Sequence, residues 1–274
     1  FPKKGVQKFL NGQEFDAIHI ATEGPLGIAT RNYAIKNKLQ FTTAFHTKFP
    51  DYIRARIGLP TIISYSFLRW FHNKSEAVLT PTDSIIEELK KYQIGNPVHW
   101  PRGVETDFFK PFANRKPNRE PIYLYVGRVA IEKNIEAFLS LDLIGKKIIV
   151  GDGPLLSKLK LRYPKATFLG NKDKKDLPEI YNQADVFVFP SRTDTFGLVL
   201  LEAMACGVPI AAFPTAGPID VIGDSSAGCL SEDLAEAIRR ALKIPRNIAR
   251  EHALRYSWLE ASRLFLEQQI QINK

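Results

Sequence analysis

An α/β fold with parallel, helix-covered sheets is predicted for this chain from three observations. Short apolar runs alternate with helical patterns along its 274 residues. Several of those runs end in glycine-bearing turns, as strands do where they feed a helix. A charged, proline-rich stretch at 107–121 separates two such series, which predicts two domains rather than one.

The elements follow in order. Apolar runs at 17–21, 41–45 and 77–80 read as strands of the first series, and 83–92 carries a helical pattern. The second series reads as strands at 122–126, 147–150, 167–169, 186–189 and 209–212, with helices at 156–162, 177–183 and 232–241. Near-continuous apolar strands such as Val186-Phe187-Val188-Phe189 point to a sheet covered on both faces. The aromatic run Phe67-Leu68-Arg69-Trp70-Phe71 reads as core packing.

Composition narrows the class. With 45% hydrophobic and 24% charged residues the chain is globular, and no apolar run approaches the twenty residues a transmembrane helix needs. Cys206 and Cys229 read as buried thiols in a reducing compartment, so a cytoplasmic location is expected. The net charge of +9 is uneven: residues 1–118 hold 17 Lys/Arg against 10 Asp/Glu. No nucleic-acid motif accompanies that charge, so a sugar phosphate or an anionic membrane surface is favoured over nucleic acid.

The most specific segment runs from Ser191 to Gly207. Asp194 and Glu202 stand eight positions apart, on either side of an expected helix start at Phe196-Gly197-Leu198. Free N–H groups at such a start favour an anion, and the two carboxylates can accept from sugar hydroxyls. Glu202 lies among Leu201, Ala203 and Met204, where a buried carboxylate needs a partner that a ribose diol could supply. After an earlier strand, Gly127 permits a tight turn, and Arg128 and Lys133 bring two cations suited to a diphosphate. Gly151-Asp152-Gly153-Pro154 forms another strand-end turn, and Phe168-Leu169-Gly170 is a third strand end that could face a base. In the first series, Glu23 and Gly24, His46, and Arg102 follow apolar segments and are expected along one sheet edge.

These residues resemble a known family. Gly127-Arg128 with Glu132-Lys133-Asn134, Gly151-Asp152-Gly153-Pro154, and Asp194, Phe196-Gly197, Glu202-Ala203 and Gly207 look like the donor-binding half of a family 4 retaining glycosyltransferase of GT-B fold. Thr22-Glu23-Gly24-Pro25-Leu26-Gly27, His46-Thr47 and Arg102-Gly103-Val104 look like part of its N-terminal domain, and Tyr256-Ser257-Trp258 leads into a helix like its C-terminal one. The resemblance implies two Rossmann-like domains facing a cleft. The first, incomplete, covers 1–112, the donor domain covers 113–255, and a helix at 256–274 crosses back.

It further implies sugar transfer from a nucleotide-diphospho-sugar with retention, to a lipid or glycan acceptor, with no metal. His46, Asp194 and Glu202 would serve catalysis. Arg128, Lys133, Gly127, Gly153, Leu169, Phe196, Gly197 and Leu198 would bind the donor, and Glu23, Gly24 and Arg102 would lie on the acceptor side. Asp194 stands where the family usually has glutamate, which looks close to members using GDP-mannose. A UDP-sugar-dependent lipid glycosyltransferase is the alternative. A second alternative is a truncated or split nucleotide-sugar binder whose first domain is completed by a partner chain. The family's first strand and glycine-rich loop have no counterpart here.

Overall fold

The computed structural model describes residues 2–50, 53–54 and 58–269. The chain forms two units. One comprises Phe1–Pro101 with Leu259–Lys274, the other Arg102–Trp258.

In the first unit, strands β1 (His19–Ile20), β2 (Thr42–Ala44), β3 (Val78–Thr80) and β4 (Pro97–His99) form a parallel sheet in that spatial order. Helices α1 (Lys3–Leu10), α2 (Pro25–Lys36), α3 (Thr61–His72) and α4 (Asp83–Lys91) accompany it. Ile18, Ile20, Ala34, Phe41 and Phe71 form one apolar cluster, and Ala44, Ala77 and Leu79 another. The aromatic run on α3 splits: Leu68 and Phe71 are buried, but Phe67 and Trp70 are 41% and 46% exposed. At helical spacing one run cannot turn all of its residues inward, so the expectation of core packing holds for only part of it.

The second unit carries a six-stranded parallel sheet. Its strands are β5 (Ile122–Val126), β6 (Lys146–Val150), β7 (Thr167–Gly170), β8 (Val186–Phe189), β9 (Ile210–Ala212) and β10 (Gly228–Leu230). The spatial order is β10-β9-β8-β5-β6-β7. All four residues of β8 are buried, worth about 1.5–3 kcal/mol for each large side chain. Helices α5 (Ile135–Leu139), α6 (Leu156–Arg162), α7 (Leu177–Gln183), α8 (Leu198–Ala205), α9 (Ala216–Ile222), α10 (Leu234–Ala241) and α11 (Arg246–Ala253) connect and follow the strands. Asp233 caps α10 by accepting from the Ala235 and Glu236 amides, which starts that helix two residues later than its pattern suggests. α12 (Trp258–Glu267) is the last helix described.

The chain divides at Pro101/Arg102, not at 112/113 as the proline-rich stretch suggests. That stretch is packed onto the second unit. Phe109 is buried in its core, and the Arg250 guanidinium donates to the Phe109 and Thr106 carbonyls. Arg115 pairs with Asp185 at 2.6 Å, and Asn118 Nδ2 and the Ile122 amide also donate to that carboxylate. Charges and prolines mark a solvated path here, while these bonds fix which body it follows.

Chain order reverses between β8 and β5, and crevices at the carboxyl ends of strands open at such a reversal. The loops leaving β5 and β6 interlock just above it. The Gly127 amide donates to the Val150 carbonyl at 3.0 Å, and the Val129 amide to the Asp152 carbonyl at 2.8 Å. Gly151 has φ of 128°, and a Cβ there would stand 1.9 Å from the Gly127 oxygen. Gly151→Ala is therefore expected to destabilise the second unit by about 1–3 kcal/mol. Thermal denaturation checks this, and an unchanged melting temperature would place the loops differently.

Candidate active site

The switch point gathers residues from both sides of the reversal. β5 ends at Val126 and runs through Gly127 and exposed Arg128 into a 3₁₀ turn at Ile131–Lys133. β8 ends at Phe189 and runs through Pro190 and fully buried Ser191 to Asp194 and Gly197. Thr193 Oγ1 donates to the Glu132 carbonyl at 3.2 Å, and Ser191 Oγ to the same oxygen at 3.4 Å. Asn134 adopts a left-handed conformation (φ 51°), and its Nδ2 donates to the Pro190 carbonyl at 3.1 Å. Asparagine tolerates that conformation better than most residues.

Lys133 Nζ donates to Asp194 Oδ1 at 2.5 Å, with both side chains largely buried. The second oxygen, Asp194 Oδ2, is buried and accepts no hydrogen bond among the described residues. A buried carboxylate oxygen without a donor is costly unless a ligand supplies one. Two residues the sequence points to separately, 61 positions apart, thus form one unit here.

Helix α8 starts at Leu198, two residues later than Phe196, with Gly197 as its N-cap at φ 88°. That left-handed start suits glycine. The Phe196 ring lies in the core, edge-on to Tyr256 at 6.3 Å, so only its backbone can serve a ligand. Gly207, at φ 76°, follows the helix. Glu202, on α8, already has a protein partner: Tyr181 Oη, from α7, donates to Glu202 Oε2 at 2.8 Å. Burial raises the Glu202 carboxyl above the ordinary carboxylate range, while the Tyr181 bond and Lys174 act against that shift. The ribose diol that its burial suggests is thus not its sole source of donors.

Glu202 lines a cavity of about 210 Å³ within the second unit, with Leu198, Val104, Glu105, Phe109, Lys174 and Trp258 among its walls. Lys174 and Glu105 pair with one another there. Leu169 is 37% exposed at the end of β7. Gly153 stands where a Cβ would lie 2.4 Å from the Val129 carbonyl oxygen, so a neighbouring loop already requires glycine there.

Arg102 falls in the second unit rather than the first, and burial lowers its guanidinium to about 10. Glu23, Gly24 and His46 lie in the first unit. Gly24 caps α2 ahead of Pro25, and the half-buried His46 ring lies 5.6 Å from the Trp100 ring. Glu23 is buried. Its Oε1 accepts from His72 Nε2 at 3.2 Å, and His72 Nδ1 shares a hydrogen bond with Thr43 Oγ1 at 2.9 Å.

Tyr181 and His72 are absent from the residues to which the sequence points. Each lies in a helix where an aromatic ring reads as core, and only the tertiary fold aims its polar tip at a carboxylate. Cys206 and Cys229 are buried and unbridged, and burial lifts the Cys206 thiol to about 12. No helix among the described residues is long and apolar enough to cross a membrane.

Comparison with known proteins shows the family and the fold. Residues 106–257 match the model of glycosyl transferases group 1, and residues 2–108 that of glycosyltransferase family 4. A GDP-mannose-dependent alpha-mannosyltransferase of Mycobacterium tuberculosis is 30% identical over 232 residues, covering 81% of this chain and 61% of that protein. A sulfoquinovosyl transferase of Arabidopsis thaliana is 29% identical over 282 residues, covering 90% of this chain and 55% of that protein. The chain thus spans about three fifths of the length of these relatives. Among solved structures, sucrose-phosphate synthase from Thermosynechococcus elongatus superposes with a TM-score of 0.82 at 22% identity, over 97% of this chain and 75% of that one. An Anabaena protein solved with UDP superposes at 0.72 and 16% identity, over 96% of this chain and 80% of that one. With two Rossmann-like parallel-sheet units and a family match over more than half its length, the chain belongs to the glycosyl transferases group 1, on the GT-B fold.

Proposed function

We propose that the chain carries the donor site of a retaining, metal-independent hexosyltransferase that takes mannose from GDP-mannose and passes it to a lipid or glycan. The observation that carries this reading is the buried, donor-less Asp194 Oδ2 beside Lys133 at the switch point. A sugar hydroxyl supplies the missing donor. Lys133 and Arg128 stand at the strand end that faces the crevice, where cations neutralise a leaving diphosphate. The amide groups at the start of α8 add positive potential without a metal.

Support for guanosine comes from relatives named as GDP-mannose-dependent. UDP-sugar use is the second reading, favoured by the fold neighbour solved with UDP. The lipid acceptor is favoured by α3, whose Ile62, Ile63, Phe67 and Trp70 are exposed on one element of the basic first half. An apolar patch of that kind suits an acyl chain or a membrane surface.

Thermal shift with nucleotide and nucleotide-sugar tests the reading. GDP at about 100 times its Kd is expected to add roughly 2.7 kcal/mol to the second unit's stability. Asp194→Asn should reduce the extra stabilisation from GDP-mannose while leaving that from GDP. Radiolabelled transfer from GDP-mannose then reads turnover. No shift with either GDP or UDP, in protein shown to be folded, would sink the proposal.

A further inference from the structure

We propose that Tyr181 is a positioning residue for nucleotide recognition: its phenol fixes how Glu202 presents its carboxylate, and ribose is told from deoxyribose through that bond. This rests on the reading of the second unit as a donor site in which Glu202 takes the ribose diol.

Tyr181 has no solvent exposure. Its ring is wedged between Phe109 and Phe187, each with its centroid 5.9 Å away. The only freedom left to such a ring is the direction of its O–H, and that is taken by Glu202 Oε2 at 2.8 Å. Burial raises the phenol well above its ordinary range, and Glu202 acts in the same direction. Tyr181 therefore stays protonated and remains a donor across the working pH range.

The consequence lies at Glu202. A carboxylate in a mostly apolar wall tends to take up a proton. Once protonated it no longer receives two hydroxyl donors as an anion does. The groups around the pair are Lys174, which opposes that protonation, and Glu105, which favours it. Lys174 is paired with Glu105, and Cys206 has a thiol burial keeps neutral. The Tyr181 bond is the direct hydrogen bond acting to keep Glu202 ionised. With one lone pair of Oε2 engaged, the rest of the carboxylate is left for a vicinal diol. Tyr181 need not touch the nucleotide to set how well that diol is bound.

The test measures affinity by calorimetry for the full chain and for Tyr181→Phe between pH 5 and 8. GDP and 2′,3′-dideoxy-GDP are the probes, with UDP and its dideoxy form in parallel. The variant is expected to lose about 10- to 100-fold in affinity for the ribose form, the value of a hydrogen bond to a charged group. Its affinity for the dideoxy form should not move. Because removing a bond that favours the anion raises the Glu202 carboxyl further, the pH below which ribose-form binding weakens should rise. An unchanged ribose-to-dideoxy ratio with an unmoved pH profile overturns the proposal, as does equal weakening of both forms. Should Tyr181→Phe fail to fold, 3-fluorotyrosine at 181 strengthens the donor and should move the same pH midpoint downward; no movement overturns it too. Wild-type protein that binds neither GDP nor UDP counts against the donor site itself, and so is separable from failure at Tyr181.

Discussion

Lys133→Met is expected to lower the rate of the proposed sugar transfer from GDP-mannose by about 10²–10³-fold, the scale of losing one preorganised electrostatic group. Lys133 is one of the side chains that join the two loops of the switch point, and it neutralises Asp194 before any ligand arrives. Methionine keeps the length and apolar stem but removes the charge, leaving the Asp194 carboxylate without that donor. Single-turnover measurement at saturating donor separates the chemical effect from weakened binding. Asp194→Asn should lower the rate while removing the charge that Lys133 balances. The double variant should therefore recover part of the stability lost in Lys133→Met, since residues in contact are not additive. A Lys133→Met enzyme with wild-type turnover would remove Lys133 from the reaction.

His72→Ala is expected to destabilise the first unit by about 1–3 kcal/mol, the cost of leaving a buried polar group without its hydrogen-bond partner. His72 has no exposed side-chain surface, and its Nε2 is the donor facing the Glu23 carboxylate in the 22–24 turn before α2. Ser75 Oγ and Thr43 Oγ1 lie 3.0 Å apart, and Ser75 Oγ donates to the His72 carbonyl, so the polar cluster extends past the imidazole. Glutamine at 72 keeps a donor and should restore part of the loss. Chemical denaturation followed by a probe in the first unit reads the change. A loss under about 1 kcal/mol would mean that water reaches Glu23 in place of the histidine.

Much of this fold can be read in the residues themselves. Val186 to Phe189 is an unbroken apolar run and forms β8 without change, and the helices at Leu156–Arg162 and Leu177–Gln183 fall where their periodicity predicts. β4 and β10 are not legible in the same way. Pro97–His99 is half-exposed at one sheet edge, and Gly228–Leu230 is a three-residue edge strand with one buried residue. Neither carries the apolar density that marks a covered strand. The domain boundary is misplaced for a related reason. Prolines and charges report that a segment is solvated, whereas Phe109, Arg115 and Arg250 decide which core it joins.

The candidate site divides along the same line. Asp194, Glu202, Arg128 and Lys133 carry enough chemistry to be picked out by type and spacing. That Lys133 meets Asp194, and that Tyr181 meets Glu202, depends on strand order, which local pattern does not encode. Gly153 shows the converse. The resemblance gives it a donor-binding role, while the Val129 carbonyl already demands a glycine there.

The interlocked β5 and β6 loops bear on how a nucleotide would arrive. The Gly127 and Val129 amides are engaged by the carbonyls of Val150 and Asp152, the Gly151 amide by that of Gly170 in β7, and Gly151 leaves no room for the loops to slide past one another. A cradle already tied down has little configurational freedom left to surrender. Capture on that side should then proceed as a single kinetic phase without prior ordering, and those amides should exchange with deuterium as slowly without nucleotide as with it.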